Sequence, residues 1–126
     1  MMKEIIYSDQ APSPIGPYSQ AVKAGNTLYV SGQIAIVPNT GELLSGSIQE
    51  ETAQVMKNLE AILKEAGGDF SNVVKCGIFI KNMDDFTLIN EEYGKSFSEN
   101  PPARETVEVS RLPKDVNVEI SCIAVF

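Results

Sequence analysis

Ser47-Ile48-Gln49-Glu50-Glu51-Thr52-Ala53-Gln54-Val55-Met56-Lys57-Asn58-Leu59-Glu60-Ala61-Ile62-Leu63-Lys64-Glu65-Ala66-Gly67-Gly68 decides the layer arrangement of this chain. Apolar residues fall at Ile48, Val55, Met56, Leu59, Ile62, Leu63 and Ala66, the spacing of one helical stripe. Ser47 followed three residues later by Glu50 reads as a capping box, and Gly67-Gly68 as the stop. Glu51, Gln54, Lys57, Asn58, Glu60 and Lys64 are expected to cover the polar face. A one-sided helix of this length needs an apolar layer to lie on.

The flanking sequence supplies that layer. Upstream, Ile5-Ile6-Tyr7 reads as a short strand, and Ala11-Pro12-Ser13-Pro14-Ile15-Gly16-Pro17 as a rigid loop. Tyr18 to Ala24 and Thr27 to Ile34 read as strands joined at Gly25-Asn26, and Pro38-Asn39-Thr40-Gly41 as a turn. Downstream, Val73 to Ile80 reads as a strand with Val74, Cys76, Ile78 and Ile80 on one face. A second helix starts at Asn82-Met83-Asp84-Asp85, carries the stripe Phe86, Ile89, Tyr93 and Phe97, and ends at Asn100-Pro101-Pro102. Arg104 to Val109 and Val116 to Phe126 read as two last strands around the turn Leu112-Pro113-Lys114-Asp115. In the first of them Arg104, Thr106 and Glu108 share a face; in the second Val118, Ile120, Cys122 and Ala124 do. The expectation is one α+β domain over residues 1–126, a mixed β-sheet with two helices on one face. Its other face, carrying Ile123 and Val125 beside Glu119 and Ser121, needs cover, which points to a small cyclic oligomer with a cleft between subunits.

Composition removes whole classes of chemistry. There is no His among the 126 residues, so no Ser-His-Asp or Cys-His catalysis and no imidazole metal ligand. Two Cys cannot build a thiolate zinc cage or an ordinary iron–sulfur site. Cys76 and Cys122 lie in phase with apolar neighbours and read as buried core thiols. A net charge of −7 opposes binding to phosphate backbones. No apolar run reaches the roughly 20 residues of a membrane span. The start Met1-Met2-Lys3-Glu4-Ile5-Ile6 lacks the long apolar stretch of a signal peptide, so a cytoplasmic location is expected. No phosphate-cradling glycine motif is present.

What remains for chemistry is Arg, carboxylates and hydroxyls. If the last two strands pair as a hairpin, Arg104 and Glu119 both project from the face away from the helices. Arg104 could then fork onto a carboxylate while Glu119 orients a water. On pattern alone the plainer reading, a weak solvent-facing cross-strand pair, is preferred. Gly32, in Ser31-Gly32-Gln33, admits either a ligand or crowded packing, and packing is the simpler reading. Tyr18 could reach a site with its hydroxyl or anchor the loop to the core, the anchor being preferred.

Several stretches, in order and spacing, together resemble the RidA (YjgF-like) family of imine and enamine deaminases. They are Ala11-Pro12, Ile15-Gly16-Pro17-Tyr18-Ser19-Gln20, Ser31-Gly32-Gln33-Ile34, Pro38-Asn39-Thr40-Gly41-Glu42, Asn90-Glu91-Glu92-Tyr93, Pro102-Ala103-Arg104, Val107-Glu108-Val109, Arg111-Leu112-Pro113 and Glu119-Ile120. The resemblance covers essentially the whole chain. It implies a chorismate-mutase-like fold, a homotrimer with active sites between subunits, and neither metal nor cofactor. It also implies hydrolysis of 2-imino or enamine acids, such as 2-aminoacrylate and 2-iminobutanoate, to 2-keto acids and ammonia. Carried over by position, Arg104 holds the substrate carboxylate with help from the backbone at Gly32, and Glu119 activates the water. Tyr18, Ser31, Asn90 and Thr106 line the pocket. Many members carry Cys where this chain has Thr106, so no thiol-dependent version of the chemistry applies there. The resemblance moves the weight on Arg104 and Glu119 from the plain reading to the functional one. Two other readings stand beside it: a carboxylate-sensing or protein-binding module without turnover, and, weaker given the charge and the missing His, RNA cleavage with inhibition of translation.

Overall fold

The computed structural model describes residues 2–126; Met1, the first residue of the start read as no signal peptide, lies outside them. Eight elements follow in order: β1 (Lys3–Ile6), β2 (Ala21–Ala24), β3 (Thr27–Gln33), α1 (Ile48–Glu65), β4 (Val73–Ile80), α2 (Phe86–Gly94), β5 (Ala103–Glu108) and β6 (Val118–Val125). The strands form one six-stranded sheet in the order β1-β2-β3-β6-β4-β5. Only β4 and β5 are parallel, so the sheet is mixed.

The expected first helix forms as read. Ser47 Oγ accepts from the Glu50 backbone N–H at 3.1 Å, and the Glu50 carboxylate accepts from the Ser47 N–H at 3.1 Å. Val55, Leu59, Ile62 and Leu63 are buried against Leu28, Ile78, Ile120 and the rest of one sheet face. The polar face differs from expectation at two places. Glu51 and Asn58 are buried, because each satisfies backbone groups that would otherwise be orphaned. Asn58 Nδ2 donates to the carbonyls of Ile34 (3.1 Å) and Ile36 (3.0 Å). The Glu51 carboxylate accepts from the Asn117 backbone N–H (2.9 Å) and from Asn117 Nδ2 (2.7 Å), which fixes the entry to β6.

Other boundaries shift by a few residues. Tyr18–Gln20 remain outside β2, β3 ends at Gln33, and β6 starts at Val118. Residues 83–85 form a 3-10 turn ahead of α2, which ends at Gly94; Phe97 lies beyond the helix yet still packs on Tyr93. In β4 the register shifts between Val73 and Lys75, so Val73 rather than Val74 enters the core.

The largest correction concerns the end of the chain. β5 and β6 do not form a hairpin: β4 lies between them, pairing parallel with β5 and antiparallel with β6. β4-α2-β5 is a crossover unit, and a crossover makes its two strands parallel. Arg104 and Thr106 stand level with Cys76 and Ile78, on the helix-covered face. Glu119 stands level with Phe79 on the other, open face. Tyr29, Ile5, Phe79, Val107 and Val125 are also exposed there.

Candidate active site

The seven singled-out residues fall into two groups. On the open face, Glu119 extends from β6 across the irregular part of β3. The β3–β6 register breaks between Val30 and Gln33, taking Ser31 and Gly32 out of regular pairing. A Cβ built on Gly32 would lie 2.7 Å from both Cδ and Oε2 of Glu119. Close approach, rather than turn geometry, is therefore what glycine permits at this position. Partial burial raises the Glu119 pKa above the ordinary glutamate value, since the charged form loses hydration.

Around this carboxylate lies a cavity of about 360 Å³, whose lining includes Ile15, Tyr18, Ser31, Gly32, Pro113 and Glu119. Its walls are mainly apolar, with Glu119 the one charged group among the lining side chains. Ser31 Oγ donates to the Ser19 carbonyl at 2.7 Å, holding the chain that presents Tyr18. The Tyr18 ring is half exposed rather than anchored in the core, and its hydroxyl accepts from the Ile15 N–H at 3.4 Å. Beneath the loop, buried Gln20 accepts from the Ser8 N–H and donates to the Ser8 and Pro12 carbonyls, at 2.7, 3.0 and 2.9 Å. Gln20 and Pro113 enter the sequence reading only within the stretches that carry the resemblance and the turn at residues 112–115, and neither is singled out there as a site residue.

The second group lies on the helix side. Arg104 Nη1 donates to Asn90 Oδ1 at 2.6 Å, and its guanidinium carbon lies 5.0 Å from the Tyr93 ring centre and 5.7 Å from that of Phe86. Among the described residues no carboxylate pairs with Arg104. In a chain with seventeen acidic side chains, an unpaired, half-buried guanidinium is open to an external anion. Asn90, Tyr93, Phe97, Pro101, Pro102 and Arg104 are among the residues bounding a cavity of about 400 Å³. Two residues along β5, Thr106 Oγ1 is buried without a hydrogen-bond partner among the described residues. Behind the site, burial pushes the Cys76 thiol up and the Cys122 thiol to about 12, so neither is a ready nucleophile.

The two groups do not meet within one chain. Arg104 stands level with Cys76 and Glu119 with Phe79, on opposite faces and on strands separated by β4. Standard strand spacings put their Cα atoms roughly 14 Å apart. One small molecule cannot touch both. A larger cavity, about 530 Å³, lies between the outer side of α1 and residues 37–39 and contains none of the seven.

Comparison with known proteins places this geometry in a family. The family profile described as Endoribonuclease L-PSP matches residues 8–126. The human 2-iminobutanoate/2-iminopropanoate deaminase is 44% identical over 125 residues, covering 99% of this chain and 91% of its own. The crystal structure of a putative endoribonuclease from Thermotoga maritima superposes with a TM-score of 0.97 at 49% identity, covering 99% of this chain and 98% of that one. That of Escherichia coli TdcF with bound serine gives 0.92 at 39% identity, covering 98% of each chain. The fold is thus the chorismate-mutase-like one, and the chain belongs to the Rid (YjgF/RutC, L-PSP) family.

Proposed function

We propose that this protein hydrolyses reactive 2-imino and enamine acids to 2-keto acids and ammonia, in clefts between the copies of a homotrimer. The observation that carries this reading is the division of the site. One cation without a carboxylate partner and one half-buried carboxylate lie on opposite faces, each beside its own cavity. A second copy, covering the open face of the first, can set its Arg104 against the first copy's Glu119. The apolar open face, with Ile5 54% and Tyr29 52% exposed, supports such covering.

In this reading Arg104 forks onto the substrate carboxylate and Glu119 accepts a hydrogen bond from a water. The acceptor is the protonated imine, which an enamine acid reaches by taking a proton at C3. As the water oxygen adds to C2 and the C=N electron pair passes to nitrogen, Glu119 takes the water's proton, giving a neutral carbinolamine. Glu119 returns that proton to the amine nitrogen; the C–N bond breaks as the hydroxyl oxygen forms the C2=O double bond and gives up its own proton to Glu119 or water, and ammonia leaves the 2-keto acid. A carboxylate with a raised pKa is better matched to this exchange than an ordinary one. The imine carbon is already electrophilic, so holding the partners in place supplies much of the acceleration. Tyr18, Ser31 and Gly32 line the Glu119 cavity, while the unpartnered Thr106 hydroxyl is buried two residues along β5 from Arg104, outside the lining of either cavity.

The test is direct. 2-Iminobutanoate is generated in situ and 2-oxobutanoate formation is followed; the protein should accelerate it over buffer, and Arg104→Ala should abolish the acceleration while leaving the fold intact. No acceleration with these small imino acids overturns the reading. A second reading, carboxylate binding without turnover, is favoured by the serine bound in the Escherichia coli relative. It predicts Arg104-dependent ligand binding that Glu119→Gln leaves unchanged, and no catalysis. RNA cleavage has less behind it, because a net charge of −7 and the absence of His leave phosphate contact and acid–base cleavage without evident groups.

A further inference from the structure

We propose that Phe86 and Tyr93 are positioning residues for Arg104, holding its guanidinium ready before a carboxylate arrives; this rests on the reading of Arg104 as the carboxylate-binding group. Phe86, Asn90 and Tyr93 are spaced by four and then three residues along α2, which places all three on one helix face. That face is the one that meets Arg104. Asn90 takes one Nη1 hydrogen at 2.6 Å, and the two rings lie 5.7 and 5.0 Å from the guanidinium carbon. Both distances are within cation–π range. The Tyr93 ring is itself fixed. It is buried, packs on Phe97 at 4.9 Å between ring centres, and Phe97 in turn meets Phe70 edge-on at 5.3 Å. A free arginine side chain loses much rotamer freedom when it is immobilised by a ligand. Here that loss has been incurred in folding, and the remaining guanidinium N–H groups stay available for a forked contact. A lysine would gain neither the fork nor the planar stacking.

The effect belongs to capture of the carboxylate rather than to the addition of water. The experiment uses 2-oxobutanoate, a stable carboxylate, and follows the Arg104 side-chain N–H signals in 15N spectra, assigned by their loss in Arg104→Lys. In the unaltered protein these signals should be shifted upfield by the rings and should move on titration. Tyr93→Phe should keep both the shift and the affinity. Tyr93→Leu should relax the signals toward ordinary arginine values and weaken 2-oxobutanoate by about fivefold. In the imine assay the same variant should raise KM by a similar factor and leave kcat within about twofold. A folded Tyr93→Leu protein that binds as tightly as the original overturns the proposal, as does a Tyr93→Phe protein as impaired as Tyr93→Leu. Should Tyr93→Leu not fold, Phe86→Leu decides in the same way, at a position only partly buried. Arg104-dependent, ring-dependent binding in a protein without turnover would leave this proposal standing and remove the deaminase reading. Binding indifferent to Arg104→Ala would remove this proposal whatever the turnover.

Discussion

Gly32 and Glu119 share a space that only glycine leaves open. A methyl group on Gly32 would lie 2.7 Å from the Glu119 carboxyl, and the atoms it would strike are the far end of a flexible side chain. Gly32→Ala should therefore displace Glu119 rather than open the sheet. The expected result is a kcat reduced by about 10- to 100-fold with little change in melting temperature, measured on the same preparation. The state of Glu119 has its own signature. Its pKa is raised because burial disfavours the charged form, so the carboxylate proposed as the base is lost as pH falls, at a higher pH than for an ordinary glutamate. The rate should climb with pH through that raised value, and the Glu119 carboxyl carbon should titrate alongside it in 13C spectra. A carboxyl signal at the ordinary glutamate position would count against the role. The sequence pattern admits Gly32 as a crowded position or a ligand contact; the structure shows crowding by Glu119, the side chain proposed as the base.

The helix α1 shows why hydrophobic periodicity reads one face of an element well and the other less so. Its apolar stripe, its cap and its stop are local properties of residues 47–68, and each is where the spacing predicts. The polarity of Glu51 and Asn58 points them to solvent, yet their partners lie far along the chain, at Asn117 and at Ile34 and Ile36. No local pattern encodes such a contact. Their burial has a measurable consequence. Asn58→Ala would strip the donor from two carbonyls, costing about 3 kcal/mol. Ser47→Ala, which removes an exposed cap, should cost about 1 kcal/mol. Thermal denaturation should separate them, the first lowering the melting temperature by about 10 °C and the second by about 4 °C. Equal losses would show that the Asn58 bonds are replaced by water. The hairpin expected from Arg104–Phe126 failed for a related reason. The residues between β5 and β6 are as compatible with a turn as with a longer return, and only the helix preceding β5 imposes the parallel pairing with β4.

Across the whole molecule, the separation of Arg104 from Glu119 turns an expectation about assembly into a requirement of the proposed reaction. The sequence marked both residues and also marked the uncovered sheet face, but it placed the two side chains together on that face. Strand order puts them on opposite sides of the sheet. If each site takes Arg104 from one copy and Glu119 from its neighbour, two inactive variants can restore each other. Arg104→Ala retains Glu119, and Glu119→Gln retains Arg104. In trimers assembled at random from equal amounts, an interface is intact when the Arg comes from the second variant and the Glu from the first. About one interface in four meets both conditions, so the mixture should recover about a quarter of the original activity, in a particle three chains in mass. The variants must be co-expressed or refolded together, because intact trimers exchange no subunits on mixing unless they dissociate. Activity no higher than the sum of the separate variants, in particles shown to contain both, would overturn the shared site and remove one of the two residues from the reaction.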